Sequence, residues 1–284
     1  MDLFQTIIIA IVEGLTEFLP VSSTGHMIIT QNLLGVEPGN AFVHAFTFII
    51  QFGAILSVVV LYWRHFFSTN PEPAEGLHGF RRLIHTFRFY WLLFIGVLPA
   101  VVIGMAAKKS GLLDWLLDSV EVVAVMLVIG GIFMLFCDRI FNHPDENREV
   151  NEKRAFRIGL YQCISVIPGV SRSMATIVGG MAQGLTRKKA AEFSFFLAVP
   201  TMAGATLLDL LDLFKEESSW ATSHNILMLV VGCAVAFVVA LLAMKWFVNF
   251  LSKYGFKAFG IYRIVVGCLI LFLIYTGHSL TMVD

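Results

Sequence analysis

Six stretches of this chain, 41–63, 89–107, 120–140, 190–211, 225–248 and 258–276, stay apolar for about the length that crosses a bilayer. A hydrocarbon core of about 30 Å takes about 20 helical residues, and it leaves the backbone two solutions, a helix or a closed barrel. A barrel would alternate in segments of about 10 residues, a pattern not found here. The expectation is an all-α polytopic membrane protein, a single integral membrane domain over 1–284. Composition agrees: 57% of the 284 residues are hydrophobic and only 14% charged, where a soluble domain carries about 25%. Residues 1–20 are not expected to be a signal peptide, because they lack a basic start and Glu13 and Glu17 interrupt them. The net charge of zero gives no reason to expect nucleic acid. Cys137, Cys163, Cys233 and Cys268 have no paired spacing and read as buried free thiols rather than a disulfide or zinc framework.

Two further apolar segments, about 3–35 and 156–183, are broken in the middle by Pro, Gly and Ser. Each is too long for one helix and too interrupted for two ordinary spans. Both fit re-entrant helix hairpins, which are tolerated at membrane depth when they line a cavity or pack within protein. Short loops rich in Lys and Arg (64–88, 139–157, 187–189 and 245–257) set the orientation if they face the cytoplasm, although Lys108 and Lys109 run against it. The first hairpin then enters from the outer face and the second from the cytoplasmic face, each followed by three spans. That is an inverted-topology repeat, with a first unit of about 1–140 and a second of about 156–276, and such repeats place sites where broken helices meet. Pro20-Val-Ser-Ser beside Pro168-Gly-Val-Ser-Arg-Ser, and Phe46-Thr-Phe beside Phe193-Ser-Phe, carry the symmetry.

The first break holds Glu13 and Glu17 at i and i+4, on one helix face. Carboxylates in hydrocarbon cost several kcal/mol and mark function. Hard oxygens so placed suit Mg²⁺ or Ca²⁺ together with substrate phosphates, or they share a proton. A structural ion pair with Arg172 is the plainer alternative. Ser22, Ser23 and Thr24 supply hydroxyls, and at least one of Ser22 and Thr24 reads as a helix cap. Gly25 lets backbone approach a ligand closely, and His26 is a general base or acid within reach. The second break, Pro168-Gly-Val-Ser-Arg-Ser-Met-Ala-Thr176, carries Arg172 as the only charge between Arg157 and Arg187. A guanidinium among Ser171, Ser173, Thr176 and a helix start makes an anion cradle; Thr176 equally suits a back-bond to its own helix. Joined at the midplane, the breaks imply phosphoryl transfer to water from a membrane-resident lipid diphosphate, with electrostatic neutralisation supplying most of the rate.

Glu13-Gly-Leu-Thr-Glu-Phe-Leu-Pro-Val-Ser-Ser-Thr-Gly-His26 and Pro168-Gly-Val-Ser-Arg-Ser173 resemble the two signature motifs of the undecaprenyl-diphosphate phosphatase family, the bacitracin-resistance type. Phe48-Ile-Ile-Gln-Phe-Gly-Ala-Ile55, Ala190–Pro200 and Tyr262-Arg-Ile264 also resemble it, so the likeness covers nearly the whole chain. The resemblance implies hydrolysis of undecaprenyl diphosphate to the monophosphate, recycling the carrier for cell-wall synthesis. It further implies a divalent cation, a bacterial inner-membrane location and a site open to the periplasm. By that likeness Glu13 and Glu17 are the metal or acid pair and Arg172 the phosphate clamp. Ser23 is the candidate nucleophile, activated by His26 or a Glu, with direct attack by water as the rival. Ser22, Thr24, Ser171, Ser173 and Thr176 are phosphate ligands. Met174 departs from the family's usual Gly, which bears on the tightness of the turn. An anion or polyprenyl-phosphate transporter would share the layout; a scaffold held by polar glue would not need both acids and Arg172. Homo-oligomerisation is left open.

Overall fold

The computed structural model describes residues 1–37, 40–70, 76–111, 119–216, 220–277 and 280–281, the side chains of 212–216 excepted. Residues 71–75 of the loop 64–88 lie outside them. Twelve α-helices and no strand occur among the described residues. In chain order they are α1 (Leu3–Thr16), α2 (Ser23–Leu33), α3 (Ala41–Leu61), α4 (Trp63–Phe67), α5 (Gly79–Thr86), α6 (Arg88–Lys109), α7 (Val120–Ile140), α8 (Glu152–Gln162), α9 (Arg172–Ala182), α10 (Arg187–Glu216), α11 (Ser223–Tyr254) and α12 (Lys257–Tyr275). Six of these, α3, α6, α7, α10, α11 and α12, are long and apolar enough to cross a membrane. They coincide with the six stretches expected. The two short helices α4 and α5 fall in the segment 64–88 read as a loop.

Capping chemistry starts several of the helices. Asp2 caps α1 and exchanges hydrogen bonds with Gln5, a reciprocal capping box. Asn40, Ser119, Asn151 and Thr222 cap α3, α7, α8 and α11 with side-chain oxygens. Pro99 inside α6 and Pro200 inside α10 interrupt no more than the local ladder. Large apolar side chains remain outside: on α6, Phe94, Val102 and Met105 are all more than half exposed. A soluble monomer seldom shows such patches, whereas a helix facing lipid has no reason to hide them. Cys268 belongs to the same outward surface and so departs from the burial expected of it; all four thiols are free.

Each apolar broken segment is two helices joined at a turn. The first is α1 and α2, separated by residues 17–22; the second is α8 and α9, separated by a short 3₁₀ turn (Cys163–Val166) and the Pro168–Ser171 turn. Helix α1 packs along α11, and α8 packs along α6, so each hairpin leans on a long helix from the other half. Helices α7 and α12 pair with one another, and α3 meets α10. Small residues permit the closest approaches: a Cβ at Gly53 would fall 2.5 Å from the Cys233 carbonyl oxygen of α11, and one at Gly14 2.8 Å from that of Ala236. Hydroxyls tie the hairpins to the spans after them. Thr47 of α3 accepts from Gln31 of α2 at 3.2 Å, and Ser194 of α10 lies 2.6 Å from Thr176 of α9.

Candidate active site

The turns of both hairpins meet at a cavity of about 200 Å³. From the first come Glu17, Ser22, Ser23 and Thr24; from the second Ser165, Ile167, Pro168, Gly169, Ser171 and Arg172; Gln51 and Met202 complete the lining. Six of the sequence-predicted residues therefore share one wall-to-wall space. The turn at each side is sharp. Ser22 and Ser171, the residues just before α2 and α9, have φ of 70° and 76°, the only non-glycine residues with positive φ among those described. Such conformations cost of order 1–3 kcal/mol each and persist where surrounding structure enforces them.

A charged and hydroxyl network crosses the cavity. Ser23 Oγ donates to Glu17 Oε2 at 2.7 Å, and Arg172 Nη2 donates to Glu17 Oε1 at 3.1 Å. Both partners of this ion pair are largely buried, at 12% and 8% side-chain exposure. A buried pair stands only when its remaining hydrogen-bonding capacity is met. Arg172 Nη1 reaches the Ser194 carbonyl at 3.3 Å, and Phe18 lies under the guanidinium at 5.8 Å. The Arg172 Nε is buried with no hydrogen-bond partner among the described residues. An unsatisfied donor on a buried cation is expensive unless a ligand completes it.

The other predicted residues sit around the cavity rather than on it. Glu13, one turn before Glu17, is 1% exposed. Ser173 is buried and donates to the Leu19 carbonyl at 2.8 Å, pinning the second turn to the first. Thr176 bonds back to the Arg172 carbonyl at 2.9 Å and to Ser194. Both ring nitrogens of His26 have partners other than Ser23: Nδ1 lies 2.8 Å from the Ser22 carbonyl oxygen and Nε2 2.7 Å from the Tyr262 hydroxyl. Ser171 supplies the helix cap, 3.4 Å from the Met174 N–H; Ser22 makes no such bond. Gly25 also lets α2 pack closely on α7, since a Cβ there would meet Leu127 at 2.8 Å. Met174 stands within the first turn of α9, past the tight turn, where its sulfur faces Arg263 Nη1 at 3.4 Å. Among the described residues no three His, Cys, Asp or Glu side chains cluster as a self-sufficient metal site. The acid pair on α1 suits a cation that takes its other ligands from a phosphate substrate and water, as Mg²⁺ commonly does.

Residue reasoning assigned no role to Gln51, Ser165, Tyr262 or Arg263. Arg263 had a signal: it is the only charge within 258–276, and the cost argument applied to Arg172 applies to it equally.

Six apolar helices around a buried acid–hydroxyl–guanidinium network define a multi-pass helical membrane protein with a polar interior site. The family model described as Bacitracin resistance protein BacA matches residues 6–269. A protein named undecaprenyl-diphosphatase from Porphyromonas gingivalis is 54% identical, covering 99% of this chain and all of the relative. Proteins of the same name from Flavobacterium psychrophilum and Aquifex aeolicus are 50% and 42% identical, the first over the full length of both chains, the second over 94% of this chain and 96% of its own. The chain belongs to the bacitracin resistance protein family.

Proposed function

We propose that the protein is an undecaprenyl-diphosphate phosphatase, releasing inorganic phosphate from the lipid diphosphate and returning the monophosphate carrier for cell-wall polymer synthesis. The observation that carries this is the meeting of Arg172 with the hydrogen-bonded Ser23–Glu17 pair on one cavity, a cation for a phosphate beside an activated hydroxyl. The family membership and the relatives' names support the substrate. Bacitracin resistance follows from the same family.

In the proposed reaction the terminal phosphate lies against Arg172, Ser171, Ser22 and Thr24. Ser23 Oγ attacks phosphorus as its proton passes to Glu17, and the bridging P–O bond breaks to leave undecaprenyl phosphate. Glu17 gives that proton to the departing lipid phosphate; water then attacks the phosphoryl-Ser23, its proton passing to Glu17 and on to Ser23 Oγ as the Ser23–phosphate bond breaks, and inorganic phosphate departs. The 2.7 Å Ser23–Glu17 bond favours Glu17 over His26 as the base. His26, bonded to Ser22 and Tyr262, shapes the turn instead. Ser173 and Thr176 hold the Arg172 turn. Glu13 and Glu17 are the residues that would hold a divalent cation, Mg²⁺ or Ca²⁺, which when bound neutralises diphosphate charge. The halves 1–140 and 156–276 are proposed to be inverted repeats, supported by the crossed packing of α1 on α11 and α8 on α6. The proposed setting is a bacterial inner membrane with the site open to the periplasm.

Phosphate release from undecaprenyl diphosphate by purified protein in vesicles, with and without chelator, tests the reading. Metal-dependent release and a trapped phosphoryl-Ser23 are expected. Translocation of the lipid without release would make the protein a transporter. Substantial turnover by Ser23→Ala would leave water as the direct nucleophile.

A further inference from the structure

Arg263, on α12, is the largest completely buried side chain among the described residues. No carboxylate pairs with it among the described residues. Its guanidinium donates instead to five backbone carbonyls: Nη1 to Val170 at 2.9 Å and Pro20 at 3.3 Å, Nη2 to Gly169 at 2.7 Å and Met126 at 3.1 Å, and Nε to Leu127 at 3.4 Å. A buried cation without an acid is costly, and a structural staple could be made from neutral groups. The five carbonyls come from both hairpin turns and from α7, so one side chain fixes the peptide planes on which the cavity is built.

Peptide planarity gives that arrangement a consequence. In a trans peptide the N–H points opposite to the C=O. Drawing the Val170 carbonyl toward Arg263 turns the Ser171 N–H the other way, and Ser171 lines the cavity. That N–H is not spent on a backbone carbonyl among the described residues. The next two N–H groups, of Arg172 and Ser173, open α9 and lack intrahelical acceptors by position. Gly169, at φ +87°, packs where a Cβ would fall 2.4 Å from the Val123 carbonyl oxygen of α7, so the turn takes no larger residue there.

We infer that Arg263 is a positioning residue for phosphate: by gathering the carbonyls of Pro20, Gly169 and Val170 behind the cavity wall, it presents the Ser171 N–H and the first N–H groups of α9 to the substrate. This rests on the reading of the cavity as a diphosphate site. The side-chain clamp, Arg172, then works beside a backbone cradle that Arg263 keeps in shape, an arrangement known to favour anions at helix starts.

Two substitutions test it in the full-length purified protein. Arg263→Lys keeps the charge but loses the five-way fork. Gly130→Ala keeps the Arg263 residue but pushes its guanidinium aside, since a Cβ at Gly130 would fall 2.5 Å from Nη2 and 3.0 Å from Cζ. Titration calorimetry with inorganic diphosphate is expected to show binding weakened roughly tenfold or more in each, the scale of one lost hydrogen bond to a charged ligand. Lipid diphosphate turnover should fall about 100-fold in kcat. Methylguanidinium added to Arg263→Ala should restore binding. A staple without a positioning role would lower the melting temperature while folded protein bound diphosphate as the parent does, and that result overturns the inference, as does a parent that fails to bind diphosphate. If Arg263 variants do not fold, Gly130→Ala decides. A parent that binds diphosphate but releases no phosphate from the lipid refutes the phosphatase reading, while the variants' binding still decides the role of Arg263.

Discussion

At Ser22 the backbone has φ 70° and ψ 101°, and at Ser171 φ 76° and ψ 117°: nearly the same turn, each just ahead of a helix of 11 residues. The commitments of the two turns differ. In the second, Ser171 caps α9 and touches Ser173 at 3.0 Å, Ser173 holds Leu19, and Thr176 bonds back to Arg172. In the first, no hydrogen bond occupies the Ser22 or Thr24 hydroxyl among the described residues, and Ser23 spends its own on Glu17. One turn is braced to carry a fixed cation; the other keeps its hydroxyls in reserve and holds the acid. The same backbone device therefore serves two turns with different bonding, and in the proposed reaction one would hold the phosphate while the other reacts with it.

The largest effect should come from the braced turn's charge. Arg172→Ala should lower phosphate release by about 10³-fold or more, the range in which a transition-state arginine acts. It also leaves Glu17 buried without its cation, so a melting curve must accompany the assay. Next, Glu17→Gln should cost about 10²–10⁴-fold in kcat, the usual worth of a general base. If Glu17→Gln matched the parent while His26→Ala did not, the reacting turn would have been assigned the wrong base. Thr176→Val should separate holding from reacting: a stability loss of about 1–3 kcal/mol from the orphaned Ser194 hydroxyl, with the folded protein's KM raised more than its kcat is lowered. Smallest is the strain itself. Ser22→Gly and Ser171→Gly each relieve a positive φ worth about 1–3 kcal/mol. Ser171→Gly also removes a cap worth about 1 kcal/mol against Ala and only tenths against Gly. Ser22→Gly should therefore be at least as stabilising on chemical denaturation, yet lower turnover by removing a phosphate-facing hydroxyl. Equal effects on turnover at both positions would erase the distinction between the turns.

The helices were legible because hydrocarbon imposes a simple rule. Each of the six spans needs about 20 apolar residues, and α3, α7 and α12 lie within two residues of their expected limits at both ends. Helix α10 begins at Arg187 rather than 190, and α11 runs on to Tyr254, because Lys and Arg at a helix end can reach the interface while their backbone stays helical. The breaks at Pro20 and Pro168 were equally plain, as were the acids and Arg172, whose cost in an apolar run announces them. A glycine such as Gly25 marks a close approach without saying to what, and the fold places Leu127 of α7 against it.

Residue types and spacing along the chain were thus enough for the helical membrane architecture, the two broken segments and the opposite charges on them. Those are local properties, set by hydropathy and by the price of a charge in lipid. Which groups touch was settled by packing. That Glu17 rather than His26 takes the Ser23 hydroxyl, that Thr176 and Ser173 turn inward, and that Arg263 gathers carbonyls from both breaks depend on contacts across as many as 243 positions of sequence. Spacing fixes which helix face a side chain leaves from, but the partner it meets is chosen by how separate helices pack, and no single segment carries that information.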